Sequence, residues 1–162
     1  MSKIDRLAED FLAQKNIAVA GVKRDSNGVA NIIFKRLKET GHNVFPVNPG
    51  TELFDNIKCY PDLKSIPEKI DGVVIVTKPF HTEQIVEDCI QAGIPRVWMH
   101  NMMGKKGSDK PNSSISEKAV QMCKINNISV IPGGCPMMFC GKVDFGHKCL
   151  RGITRLIGGF RI

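Results

Sequence analysis

The chain has 162 residues, 42% of them hydrophobic, with 23 Lys and Arg against 16 Asp and Glu and a formal charge of +7. That length supports one domain with its own core, without metal or disulfide staples. The composition excludes a disordered chain, and no apolar run approaches the ~20 residues needed to cross a bilayer.

The excess positive charge suits an anionic partner. Aromatic residues are only 6% of the chain and no basic helix carries a base-reading motif, so nucleic acid is disfavoured against a small polyphosphate ligand. The opening Met1-Ser-Lys-Ile-Asp-Arg6 reads as the start of an amphipathic helix rather than a signal peptide. The expected compartment is therefore the cytoplasm, with no membrane partner. The six cysteines, at 59, 89, 123, 135, 140 and 149, are then expected as reduced thiols.

Ile4, Leu7, Ala8, Phe11 and Leu12 recur at helical spacing and predict a helix over 3–15. Ile17–Gly21 is a short apolar strand that breaks at a glycine. The following loop, Val22-Lys-Arg-Asp-Ser26, leads into a helix that Ser26 or Asn27 would cap, with Val29, Ile32, Ile33 and Leu37 inward and a stop at Thr40-Gly41. A strand over 43–47 follows, then a short extended piece at Cys59-Tyr60. Gly72–Thr77 is β-branched on both faces, the pattern of a central parallel strand. A helix over His81–Ala92 stops at Gly93, a strand runs over Arg96–His100, and the loop 101–112 leads to a helix at 114–126 and a strand at 128–131. The fold class expected is α/β, a Rossmann-like doubly wound sheet of about five parallel strands with helices on both faces.

In such a sheet the ligand lies outside the carboxyl ends of the strands, at the switch point. Gly21–Ser26, Asn48-Pro49, Thr77-Lys78-Pro79, His100-Asn101 and Gly133-Gly134-Cys135 should all meet on that rim. The turn after the first strand is the natural anion site, because a helix opens there with unsatisfied N–H groups. Gly21 and Gly28 stand alone, so the G-x-G-x-x-G dinucleotide fingerprint is incomplete, and no acidic residue ends the second strand to meet a ribose. No Walker loop occurs. An NAD(P)-binding redox sensor or oxidoreductase on the same fold is the second reading.

Cys135, Cys140, His147 and Cys149 form C-x4-C-x6-H-x-C, which matches no established zinc pattern, so no metal site is expected. Cys135 is expected to be structural, with a mixed disulfide to a ligand thiol as the sharper alternative. No nucleophile–base arrangement is legible among His42, His81, His100 and His147.

Together, Ile17-Ala-Val-Ala-Gly21, the loop through Asp25-Ser26, Val44-Phe-Pro-Val-Asn-Pro49, Cys59-Tyr-Pro61, Val74-Ile-Val-Thr-Lys-Pro-Phe80, Ala92-Gly-Ile94, Val97-Trp-Met99 and Cys135-Pro136 resemble the coenzyme A-binding domain family. That family includes the nucleotide-binding domain of the succinyl-CoA synthetase α subunit and small stand-alone proteins. The resemblance implies CoA across the carboxyl rim, with its pyrophosphate on Gly21, Val22, Lys23, Arg24, Asp25 and Ser26. Asn48, Pro49 and Thr51 would line the end of the second strand, and Thr77, Lys78 and Pro79 would flank the adenine or ribose. Met99, His100 and Asn101 would contact the pantetheine side. The family often has a lysine near Thr51 and a glutamine at the position of His100, and this chain departs at both.

The synthetase also uses a second domain with a phosphorylated histidine and a partner subunit, which 162 residues do not accommodate. The expectation is a non-catalytic CoA or acyl-CoA binding protein, with residues 1–136 as the binding domain. Residues 137–162 form a C-terminal extension on or near it. Whether that extension covers the rim, packs on the sheet, or meets a second copy or another protein stays open at this stage.

Overall fold

The computed structural model describes residues 1–24, 27–103, 112–142 and 145–160. In chain order the elements are α1 Lys3–Leu12, β1 Asn16–Ala20, α2 Val29–Glu39, β2 Asn43–Val47, β3 Leu53–Phe54, β4 Ile57–Lys58, β5 Gly72–Ile75, α3 Pro79–Ala92, β6 Arg96–Met99, α4 Glu117–Ile125, β7 Ser129–Pro132 and α5 Phe145–Leu156. The main sheet is parallel throughout, in the order β2-β1-β5-β6-β7. This is the expected Rossmann-like architecture, and its strand order reverses between β1 and β5.

Alternation along the strands sorts the core into two layers. Ile17, Val19, Val74, Trp98 and Ile131 face α1, α2 and the turn at Pro136–Met138, packing on Ile4, Phe11, Ile33, Phe34, Leu37 and Met138. Ala18, Ala20, Val73, Ile75, Val97 and Met99 face α3 and α4, packing on Val86, Cys89, Ala119, Val120 and Cys123. Every residue of β5 is buried, which is why its sequence has no polar face. Trp98 anchors the first layer. Its ring meets Phe11 edge-on at 5.4 Å, and its Nε1 donates to the carbonyls of Gly133 at 3.1 Å and Gly134 at 3.2 Å.

Several expectations need correction. α2 starts at Val29, with Gly28 in the capping position and no side-chain cap, so Asn27 does not cap it. Ser26, the other expected cap, lies with Asp25 outside the described residues. Val29 and Ile32 point outward, 39% and 43% exposed, while Ala30, Asn31 and Phe34 turn inward beside Ile33 and Leu37. α3 begins at Pro79, two residues before His81, using proline at its first position, where no amide donor is needed. A small antiparallel hairpin, β3–β4, was not foreseen. Asp55 and Asn56 turn it with φ of 51° and 60°, the signs a type I′ hairpin turn requires.

The C-terminal part forms a full three-turn helix. α5 is tied to α1 by an Arg155–Asp5 ion pair, and to the turn before it by Arg151 Nη1 donating to the Met138 carbonyl at 3.1 Å. The guanidinium of Arg151 also lies 5.5 Å from the Phe139 ring centre. Of the apolar residues on and just after α5, Leu150 and Ile157 are half-buried, whereas Ile153 and Leu156 are exposed.

Candidate functional site

Because all five strands run the same way, their carboxyl ends form one rim, and the loops leaving it are fastened to one another. Gly21 ends β1 with φ of 104°, its N–H donating to the Val47 carbonyl at the end of β2 at 3.1 Å. A Cβ at Gly21 would lie 2.1 Å from the Val76 carbonyl oxygen at the end of β5. Only a glycine lets the chain leave β1 between these two neighbours.

The loop after Gly21 is held from the first turn of α2. The Lys23 N–H donates to Asn31 Oδ1 at 2.9 Å, and Asn31 Nδ2 donates back to the Lys23 carbonyl at 2.7 Å. Asn48, ending β2, donates through Nδ2 to the Val22 carbonyl at 2.5 Å and accepts the Gly50 N–H at 2.7 Å. Val22 is buried, so its side chain is core and only its backbone borders the rim. Lys23 and Arg24 are exposed. Arg24 lines an open cavity of about 420 Å³ between the start of α2 and the β3–β4 hairpin, with Asn27, Asn31, Lys35, Leu53, Phe54, Asp55 and Asn56. Pro49 is exposed and Thr51 half-buried, the latter's N–H donating to the Asn48 carbonyl at 3.3 Å.

On the other side of the switch point the polar groups are more enclosed. Thr82 Oγ1 donates to the Ser114 carbonyl at 2.8 Å, so the contact of 3.2 Å with Thr77 uses the Thr77 hydroxyl as donor. Lys78 is exposed and Pro79 half-buried at the opening of α3. Met99 has no exposed surface and belongs to the second core layer, so the structure does not bring its side chain to the rim. Asn101 is also buried. Its Nδ2 donates to Ser113 Oγ at 3.1 Å, and its Oδ1 accepts the Met103 N–H at 3.0 Å.

His100 lies between them in sequence and differs in chemistry. Its backbone N–H donates to the Ile75 carbonyl and its carbonyl accepts the Ser114 N–H, both at 2.9 Å. The ring is buried and neither nitrogen has a hydrogen-bond partner among the described residues. Burial pushes its pKa down to about 4, so the imidazole is neutral at physiological pH.

Asn31, Thr82, Ser113 and Ser114 therefore shape the rim although sequence reasoning did not single them out. Asn31 left one signal, a polar residue at an inward position of an otherwise apolar helix face. Cys135 is enclosed in the first core layer. No three His, Cys, Asp or Glu side chains among the described residues come together to hold a metal ion. No helix among them is long and apolar enough to cross a membrane.

The chain belongs to the CoA binding domain family, whose profile matches residues 15–140. It is 26% identical over 121 residues to an ADP-forming acetate–CoA ligase of Methanocaldococcus jannaschii, a match that covers 75% of this chain and 17% of the ligase. The chain thus corresponds to under a fifth of that enzyme's length. An uncharacterised Bacillus subtilis protein, YneT, is 24% identical over 129 residues, covering 80% of this chain and 87% of that one. Among solved structures, a hypothetical protein from Pyrococcus horikoshii superposes with a TM-score of 0.73 at 30% identity, covering 91% of this chain and 92% of the other.

Proposed function

We propose that this chain binds coenzyme A or an acyl-CoA across the carboxyl rim of its sheet and does no chemistry of its own, leaving a partner to read its ligand state. The observation that carries this is the clasp of Asn31 on Lys23. It presents the backbone and two cations, Lys23 and Arg24, at the switch point and at the opening of α2. Phosphates are held best by such charge-assisted contacts at a helix start.

On this reading the pyrophosphate lies along Gly21, Val22, Lys23, Arg24, Asp25 and Ser26. Asn48, Pro49 and Thr51 border it at β2, and Thr77, Lys78 and Pro79 flank the adenosine. The arm runs toward β6, where His100 and Asn101 stand and Met99 supports them from the core. Non-catalysis is favoured because Asn48 is engaged with Val22, Thr77 with Thr82 and Asn101 with Ser113, while the His100 ring is buried with no hydrogen-bonded group among the described residues to poise it. These contacts position loops rather than poise a nucleophile. A cytoplasmic setting, where thiols stay reduced, fits six cysteines.

Thermal unfolding with CoA, acetyl-CoA, NAD and NADP in parallel tests the reading. A ligand at 100 times its dissociation constant adds about 2.7 kcal/mol. The melting temperature should rise with CoA or acetyl-CoA only. A rise with NAD or NADP alone would refute CoA binding and move the search to redox chemistry at the same rim.

A further inference from the structure

α5 has two unlike sides. The inner side is fastened: Arg155 pairs with Asp5, Arg151 donates to the Met138 carbonyl, Leu150 packs against the first core layer, and Thr154 is buried. The outer side carries Phe145, Cys149, Gly152, Ile153 and Leu156, which at about 100° per residue fall within one stripe of about that width. All five are exposed, Phe145 by 82%, Ile153 by 49% and Leu156 by 88%. Single apolar residues on a surface are ordinary, but large ones aligned along one helix face make a contact surface.

The charge around this face has one sign. From Phe145 to the last residue the sequence holds Lys148, Arg151, Arg155 and Arg161 and no Asp or Glu, the last acid of the chain being Asp144. Lys148 is exposed and borders the stripe. Asp5 and Glu9 of α1 lie on the inner side of the helix, in a groove shared with Arg151 and Arg155. A second copy would therefore set two basic, acid-free helices side by side, with like charges meeting. Area also argues against a protein partner. The three large apolar side chains expose on the order of 400 Å², about half of what each side of a stable protein interface buries. An anionic bilayer meets both conditions. Its charge is opposite, and one helix face with cations beside it is enough to lie in the headgroup plane.

We propose that the outer face of α5 docks this protein on the surface of a bilayer that contains anionic lipid. Phe145, Ile153 and Leu156 enter the headgroup boundary, and Lys148 meets lipid phosphate beside them. The helix is already formed and held to Asp5 and Met138, so docking pays little to order it. The contact is peripheral, since no helix among the described residues is long and apolar enough to cross a membrane. It replaces the expectation of no membrane partner, and it stands independently of the CoA reading, on a helix outside the 15–140 match.

Co-sedimentation of the full chain with vesicles of phosphatidylserine and phosphatidylcholine, against phosphatidylcholine alone, tests the docking. Wild type should favour the anionic vesicles at least about tenfold and leave them as salt rises. Phe145→Ser/Leu156→Ser keeps every charge and changes only exposed positions. It should melt at the wild-type temperature and bind the anionic vesicles roughly tenfold more weakly. Lys148→Gln should weaken binding about fivefold. Equal binding to both vesicle types, or either variant binding like wild type, overturns the proposal and leaves only the net charge of the molecule acting on lipid. A wild-type dimer in analytical ultracentrifugation that the double variant abolishes also overturns it and gives the face to a second copy. If wild type stays monomeric and sediments with neither vesicle, the proposal fails and the face belongs to an acidic protein.

Discussion

Replacing Asn31 by alanine removes the clasp on the first loop without touching the sheet. The two bonds it makes to Lys23 measure 2.9 and 2.7 Å and hold the backbone in both directions. At about 1 kcal/mol net each, their loss is worth about 2 kcal/mol. Alanine returns about 0.5 kcal/mol as the better helix former, leaving a destabilisation of about 1.5 kcal/mol. For a domain of this size that lowers the melting temperature by about 3–6 °C. The effect on the ligand is separate: CoA must then order the loop itself, which weakens binding roughly tenfold. Asn31→Asp keeps the acceptor for the Lys23 N–H but loses the donor to its carbonyl, so it should fall near halfway in stability. Circular dichroism melts and calorimetric titration with CoA measure both quantities. If Asn31→Ala melts within about 1 °C of wild type and binds CoA equally well, the loop is not held by this residue and the account of the anion site fails.

The remaining predictions concern the rim and the acid side of the stability curve. Gly21→Ala forces a side chain into a left-handed conformation against the Val76 carbonyl and should cost about 3 kcal/mol, read as a large fall in denaturation midpoint. A His100 pKa of about 4 lies below the unfolded value, so the unfolded chain takes up the proton first and stability falls as pH drops from about 6.5 to about 4. That loss, about 3 kcal/mol, should be absent in His100→Gln in urea titrations across the window. The Arg96 hydrogen bond holds Asp10 below its ordinary pKa, so that pair stabilises while Asp10 is ionised. The melting-temperature gap between wild type and Arg96→Met should be small near neutrality and close as pH falls below about 4.

The sheet was legible because its signal is repeated. Each buried strand is a β-branched or apolar run, and Gly93 and the Thr40-Gly41 pair punctuate the helices between them. The start of α2 was misread because two good capping residues, Ser26 and Asn27, precede a glycine that caps with its backbone instead. β3 and β4 are two residues each, too short for a periodicity to show. The rim residues were placed by strand order, which finds the right edge but not the depth below it. Asn101 and Met99 sit where expected along the chain, yet Ser113 and Ser114 close over that end of β6 and turn Asn101 into a fastening. Asn31 acts by reaching back eight residues across the loop to the Lys23 backbone, a meeting that helix propensity does not encode.

Trp98 is the single tryptophan of the chain. Its indole already donates to the two glycine carbonyls at the end of β7, and its ring lies 5.7 Å from Phe139, which in turn lies 6.0 Å from Phe160. The molecule therefore carries an optical reporter at the place where the C-terminal turn meets the sheet. Any event that moves Phe160 or repolarises the Gly133-Gly134 carbonyls changes the surroundings of that one fluorophore. Emission from unlabelled protein, followed on the millisecond scale after mixing with CoA, reports whether and when that end of the rim responds.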